Sequence, residues 1–330
     1  MEFGFSEEQA ELAATVRGLL AKRADSRAVR AAVTSPTGYD VGLWQTLVEQ
    51  IGATALAVPE EYDGAGFSLF ESLVVLEEVG RSLAPSPLLS SLVVAEVLLA
   101  CADEDAKRRL LPRLAAGEVA AFVDGAGAPV LDAIDATVLL AVRGDDLVEV
   151  DPATCTRRAV ESMDQTLRLA EVDLADAAMT VIGSAATARE RADLVGAVAV
   201  TALQAGLAAR AVDMTVSYSK DRVQFGRQIG SFQALKHRMA DLLVLLEMSR
   251  SASWAASYAV STGADNAAEL AHIAKSYGSD ALDHIAGETI QLHGGIAITW
   301  EHDAHLVFKR AHALGQLYGQ AHEHRALIEL

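Results

Sequence analysis

Apolar residues recur at helical spacing along most of this chain, and only one stretch departs from that period. Ser6 is placed to cap the first helix, with Gln9 completing a capping-box pattern, and Leu12, Val16, Leu19 and Leu20 follow on one face. Asp40 is placed to cap VGLWQTLVEQIG, which Gly52 would end. The segment LAVPEEYDGAGFSL is turn-rich, with Pro59, Gly64 and Gly66. Then come SLFESLVVLEEVGRSLA, SSLVVAEVLLACA after Pro85 and Pro87, and EDAKRRLLPRLAAGE, which ends near Gly117. These runs predict a helical domain over residues 1–117.

Across residues 118–184 the helical period fades, and Val, Thr, Asp and Gly rise. ATVLLAVRGDDLVEVDP predicts a hairpin that turns at Gly144, Asp145 and Asp146, and TLRLAEVDLADA predicts another strand. Residues 185–330 return to helical spacing. Helices are expected at 186–219, 231–262, 265–293 and 303–314, with a short one at 319–329. Long helices on short links predict an antiparallel bundle. The expected fold is therefore mainly α, with a small β domain between a helical N-terminal domain and a C-terminal helical bundle.

Composition narrows the function. Of 330 residues, 51% are apolar and 5% aromatic, with Ala, Leu and Val abundant, which suits closely packed helices. A net charge of −18 leaves no basic face for nucleic acid and disfavours an anionic membrane surface. The charge-free run Leu194–Ala209 contains Thr201 and Gln204 and is shorter than the roughly 20 residues needed to span a bilayer, so it predicts a buried core helix. Two cysteines, Cys101 and Cys155, give no disulfide framework. The acidic N-terminus lacks the features of a signal peptide, and a cytoplasmic location is expected.

The candidate chemistry is concentrated in two segments. YSKDRVQFGRQIGSFQ, residues 218–233, combines Arg222, whose guanidinium fork suits a pyrophosphate, with Phe225, whose flat face suits an adenine ring. Gly226 would let the chain leave its helix with positive φ. A helix end with a solvated arginine accounts for Arg222-x-x-Phe225-Gly226 taken alone. The second segment, QLHGGIAIT, carries Gln291, Gly294 and Gly295, and a simple helix stop would also explain its Gly-Gly pair. Gly125 and Gly127 read as a surface turn rather than a phosphate loop. Eight of nine histidines lie between His272 and His324, but their spacing does not build a zinc site.

Taken whole, Tyr218, Arg222, Phe225, Gly226, Ile229, Phe232 and Gln233, followed by MADL at 239–242 and then Gln291-x-x-Gly294-Gly295, resemble the acyl-CoA dehydrogenase family. The resemblance covers essentially the whole chain. It implies that Arg222, Gln224, Phe225, Gln291, Gly294 and Gly295 hold the ADP half of an FAD seated mainly in a neighbouring subunit. Two departures stand out against the family pattern. The T-E-P-x-x-G-S-type loop and the W-I-T/S segment that hold the isoalloxazine are missing, as if the middle domain had lost its first half. The catalytic glutamate is missing too. Tyr318, in LYGQ, takes its usual place, and the alternative position falls on Gly196. A phenol with an ordinary pKa of about 10 is a poor base at neutral pH. Glu301 is a weaker candidate, since in the family its segment is structural.

The resemblance to the short chains of actinobacterial steroid side-chain dehydrogenases implies a heterotetramer. A full-length partner would supply the base, acyl-CoA would be the substrate, and an electron-transfer flavoprotein would take the electrons. A self-sufficient homomer with an atypical base, or a non-catalytic scaffold, are the alternatives.

Overall fold

The computed structural model of the chain describes residues 4–125 and 127–328. The N-terminal segment contains α1 (Glu7–Arg23), α2 (Ser26–Val33), α3 (Val41–Glu49), α4 (Leu69–Ser82), α5 (Leu88–Cys101) and α6 (Glu104–Ala115). Seven strands follow: β1 (Ala120–Val123), β2 (Val130–Leu131), β3 (Val138–Arg143), β4 (Asp146–Val150), β5 (Thr156–Val160), β6 (Leu169–Asp173) and β7 (Met179–Ser184). Next come α7 (Ala185–Asp221), the short strands β8 (Val223–Gln224) and β9 (Arg227–Gln228), α8 (Gln233–Thr262), α9 (Ala267–His293), α10 (Ala304–Gln316) and α11 (Ala321–Ala326). The chain divides into two compact units, Met1–Val75 with Ala84–Gly196, and Leu76–Leu83 with Ala197–Leu330.

In the first unit the expected caps form. Ser6 Oγ accepts from the Gln9 amide at 3.2 Å while Gln9 Oε1 accepts from the Ser6 amide at 3.0 Å, closing the capping box of α1. Asp40 caps α3, but the helix stops at Glu49 rather than Gly52, which lies past a turn at φ 69°. Helix α2, capped by Asp25 and burying Val29 and Ala32 on one face, is an addition to the helices expected from the sequence. The hairpin of β3 and β4 forms with a tighter loop than expected: Arg143 pairs with Asp146, leaving Gly144 and Asp145 as the turn. The sheet order is β1-β3-β4-β7, with β1 parallel to β3, and β2-β6-β5 forms a second sheet. A small core of Ala121, Val123, Leu139, Ala141, Val148, Val150 and Ala170 lies against these strands. Strands β1, β2, β5 and β7 were not legible in the sequence; TRRAV in β5, for instance, shows no alternation of apolar and polar residues.

The second unit is helical. The most apolar 18-residue window of α7 is 89% buried, so the charge-free run is a core helix, as expected. The crossing of α4 and α7 is unusually close. A Cβ on Gly206 would meet the Glu77 carbonyl oxygen at 1.8 Å, and one on Gly80 would meet that of Leu203 at 2.3 Å. Gly206→Ala is therefore expected to lower stability by about 2 kcal/mol, because two backbones must move apart. Urea unfolding of the variant checks this; an unchanged midpoint would contradict so tight a crossing. Buried polar side chains pair within the unit: Thr201 with Ser253 at 3.0 Å, and Gln204 with Ser279 at 3.0 Å. The last helix was expected at 319–329; it spans Ala321–Ala326, and residues 329 and 330 lie outside the described residues, as do 1–3.

Candidate nucleotide-gripping site

Helix α7 ends with the Arg222 amide donating to the Tyr218 carbonyl at 2.8 Å. The chain then folds back at once, with Val223 opposite Gln228 and Gln224 opposite Arg227. The two residues of the turn are Phe225 at φ 52° and Gly226 at φ 75°. Two consecutive left-handed residues between paired strands make a hairpin turn whose twist matches its strands. Gly226 is thus a turn residue rather than a helix exit, which corrects the sequence expectation. A phenylalanine in the left-handed region costs on the order of 1 kcal/mol. That cost gains no burial, because the Phe225 side chain is 92% exposed.

An exposed, strained aromatic at a hairpin tip has no folding role, so a surface for a ligand is the better account of it. Phe225→Asn is expected to raise the stability of the isolated chain by up to about 1 kcal/mol, since asparagine suits this turn, and to weaken nucleotide retention. Thermal unfolding and a binding isotherm check the two signs separately.

Around the tip, Phe225 meets Phe232 edge-on at 6.2 Å, and the Arg227 guanidinium lies over the Phe232 ring at 4.0 Å. The Gln224 amide nitrogen donates to the Val223 carbonyl at 2.8 Å. Arg222 is exposed, and its guanidinium makes no ion pair or hydrogen bond among the described residues.

At the end of α9, Gln291, Gly294 and Gly295 are all exposed. Gly294 has φ 65° and ψ −147°, a region almost reserved for glycine. Its amide donates to the Ile290 carbonyl, so a helix stop accounts for Gly294. It does not account for Gly295, which has no positive φ and where an added Cβ would meet nothing within 4 Å. Nothing among the described residues packs against that position, so it is open to a group approaching from outside.

The two segments are brought together by Tyr218, already part of the first motif, and by His293 and His302, to which the sequence reading gave no role in the site. Tyr218 stacks on His293 with ring centroids 4.5 Å apart and planes at 26°. His302 lies 4.5 Å from His293 and 6.0 Å from Tyr218. His293 is 3% exposed, and its Nδ1–H donates to the Thr289 carbonyl at 2.7 Å. Burial holds its imidazole below the ordinary range, which keeps the ring neutral. The spacing that could have revealed this is His293 falling four residues after Thr289 on α9.

At neither expected base position is a carboxylate supplied. Gly196 is buried within α7, and Tyr318 sits at φ 52° in the link from α10 to α11. Glu301 is exposed in a turn, its amide directed at Thr299 Oγ1 from 3.4 Å. Glu77 is a buried carboxylate of the second unit that the sequence reading passed over. Burial pushes its carboxyl upward, opposed by the Trp254 indole N–H at 2.8 Å and by Arg250 at 3.1 Å. Both of those donors occupy it structurally.

An unpaired guanidinium, an outward aromatic face and a side-chain-free turn suit the pyrophosphate and base of a dinucleotide that approaches from outside the chain. The acyl-CoA dehydrogenase N-terminal domain pattern matches residues 6–118, and the C-terminal domain pattern matches residues 186–329. The chain belongs to the acyl-CoA dehydrogenase family, whose cofactor is FAD.

Among its relatives, acyl-CoA dehydrogenase IpdE2 of Mycolicibacterium smegmatis is 43% identical over 324 residues, 98% of each chain. Acyl-CoA dehydrogenase FadE34 of Mycobacterium tuberculosis is 33% identical over 95% of this chain but only 46% of its own length. Among solved structures, the Tcur3481–Tcur3483 steroid ACAD G363A variant superposes with a TM-score of 0.87 at 28% identity, covering 98% of this chain and 96% of that one.

Proposed function

We propose that this chain is one subunit of a heteromeric, FAD-dependent acyl-CoA dehydrogenase. Its Arg222 hairpin and Gly294 turn would grip the ADP end of a flavin seated on a longer partner chain, and that partner would provide the carboxylate base. One observation carries the reading. The Arg222 guanidinium is exposed and makes no ion pair or hydrogen bond among the described residues, while the two positions at which the family resemblance puts the base hold Tyr318 and Gly196.

FAD, when bound, supplies the acceptor for the hydride that leaves the acyl Cβ. This chain's part is binding and orientation. The Arg222 fork neutralises the pyrophosphate, Phe225 covers the adenine, and Gln291 with Gly294 and Gly295 lets the nucleotide backbone come close. Gln224 flanks the arginine on the same hairpin.

Two relatives support a paired assembly. FadE34 matches this chain over less than half its own length, so a similar unit there is continuous with about as much polypeptide again. The Tcur3481–Tcur3483 enzyme is named for two components and for steroid chemistry. We extend both to this chain: a partner of the same family, arranged as two copies of each, and a steroid-derived acyl-CoA as substrate. The electron acceptor by the same reasoning is an electron-transfer flavoprotein.

Purified alone, the chain is expected to hold little FAD and to show negligible dehydrogenation. Co-expression with a longer dehydrogenase chain is expected to give a yellow complex with about one flavin per pair of unlike subunits. Stoichiometric flavin and normal turnover in the isolated chain would favour a homomer and defeat the proposal. Gly295→Ala is expected to leave the melting temperature of the isolated chain unchanged, because its methyl meets open space, and to cut flavin retention by the complex about tenfold.

A further inference from the structure

We propose that Tyr218, His293 and His302 form a stacked brace that fixes the Arg222 hairpin against the Gly294 turn, setting the spacing of the grip before any ligand arrives. The inference rests on the flavin reading above, and it makes these three positioning residues rather than flavin contacts.

The hairpin cannot position itself. It consists of two strands of two residues each, and every residue from 221 to 228 is exposed, so it has no core of its own. Isolated two-stranded hairpins are marginal in water. Gly294 and Gly295 are equally exposed. Whatever fixes the two elements relative to each other must therefore lie at their roots.

The roots form a ladder between α7 and α9. The Thr215 and Thr289 hydroxyls lie 3.1 Å apart, and one turn further the Tyr218 and His293 rings stack at 4.5 Å. Positions three and four apart share a helix face, so these two rungs stand one above the other. The next rung would join Arg222 to the turn at Gly294, where α9 has already ended.

His302 closes the stack from the following turn. That turn is itself tied back to α7, because Arg210 donates to Asp303 at 2.9 Å. His293 cannot swing away, being buried and held by the Thr289 carbonyl. The Tyr218 hydroxyl makes no hydrogen bond among the described residues, so the ring face alone serves the stack.

The test combines hydrogen exchange on the isolated chain with flavin retention by the co-expressed complex. Tyr218→Ala is expected to speed amide exchange across residues 222–229 roughly tenfold, leave exchange in α8 unchanged, and weaken flavin retention by about the same factor. Tyr218→Phe is expected to restore both. His302→Ala, a milder change on the outer side of the stack, is expected to move both in the same direction and serves should Tyr218→Ala fail to fold. Unchanged exchange over 222–229 in a folded Tyr218→Ala or His302→Ala chain overturns the brace. Arg222→Ala separates the two failures. Flavin lost with Arg222→Ala but kept with Tyr218→Ala sinks the brace alone. Flavin kept with Arg222→Ala sinks the reading on which it rests.

Discussion

Arg222→Ala is expected to strip flavin from the assembled enzyme while leaving the chain as stable as before. The guanidinium has no protein partner among the described residues, so its removal breaks nothing internal. A bidentate, charge-assisted contact to a pyrophosphate contributes on the order of 3 kcal/mol, which corresponds to about a hundredfold in affinity. Lysine at this position keeps the charge but not the fork, and Arg222→Lys should recover only part of the loss. Flavin absorbance per complex after gel filtration gives the result directly. A complex of Arg222→Ala that remains fully yellow would mean the hairpin does not touch the nucleotide.

The second large effect concerns Lys275, whose side chain is 0% exposed. Its ammonium donates to Ser279 Oγ at 3.2 Å, to the Gly315 carbonyl at 3.3 Å and to the Gly319 carbonyl at 2.7 Å. Three acceptors match three N–H groups, and two of them lie at and just beyond the C-terminal end of α10, where a cation is favoured. The link that carries Tyr318 is thereby tied to α9. The His324 ring strengthens the tie, its Nε2–H donating to the Tyr318 carbonyl at 2.7 Å.

Lys275→Ala leaves a cavity and unpaired carbonyls, and is expected to cost about 4 kcal/mol. Lys275→Met keeps the volume and isolates the charge. Burial lowers the Lys275 pKa to about 8. An unfolded lysine titrates near 10.4, so between these values the unfolded chain binds more protons. Stability therefore gains from this group as pH rises from about 8 to 10.4, by up to about 3 kcal/mol, and is insensitive to it below 8. The wild-type advantage over Lys275→Met, read from urea titrations, should grow over that window. A difference that stays flat from pH 7 to 10 would show that the ammonium is not buried as described.

Much of the fold was legible because helix period and capping chemistry are local. Ser6 with Gln9, and Asp40, announced their helices, and the runs that became α7 to α10 repeat apolar residues over many turns. The β region was harder. Its short strands owe their pairing to neighbours distant in sequence, as β1 does to β3, and a five-residue strand such as TRRAV has no pattern to read. The positions of Arg222, Phe225, Gln291, Gly294 and Gly295 could be named from the string of residues alone. Their exposure, and the hairpin that makes Phe225 a turn residue, could not. Lys275 left a faint signal: it stands among Ala271, Ala274 and Gly278, small residues that mark a buried helix face.

The sequence by itself determined which residues are available: a guanidinium, an aromatic, two glycines, and no carboxylate at the two positions where the family resemblance places a base. It could do so because residue type fixes chemistry wherever the chain runs. Only the tertiary structure decided that the two glycine-bearing segments share one edge, that they face outward, and that a stacked tyrosine and two histidines lie beneath them. Those facts depend on α7 and α9 ending side by side, a meeting of residues some 75 positions apart that no local period encodes.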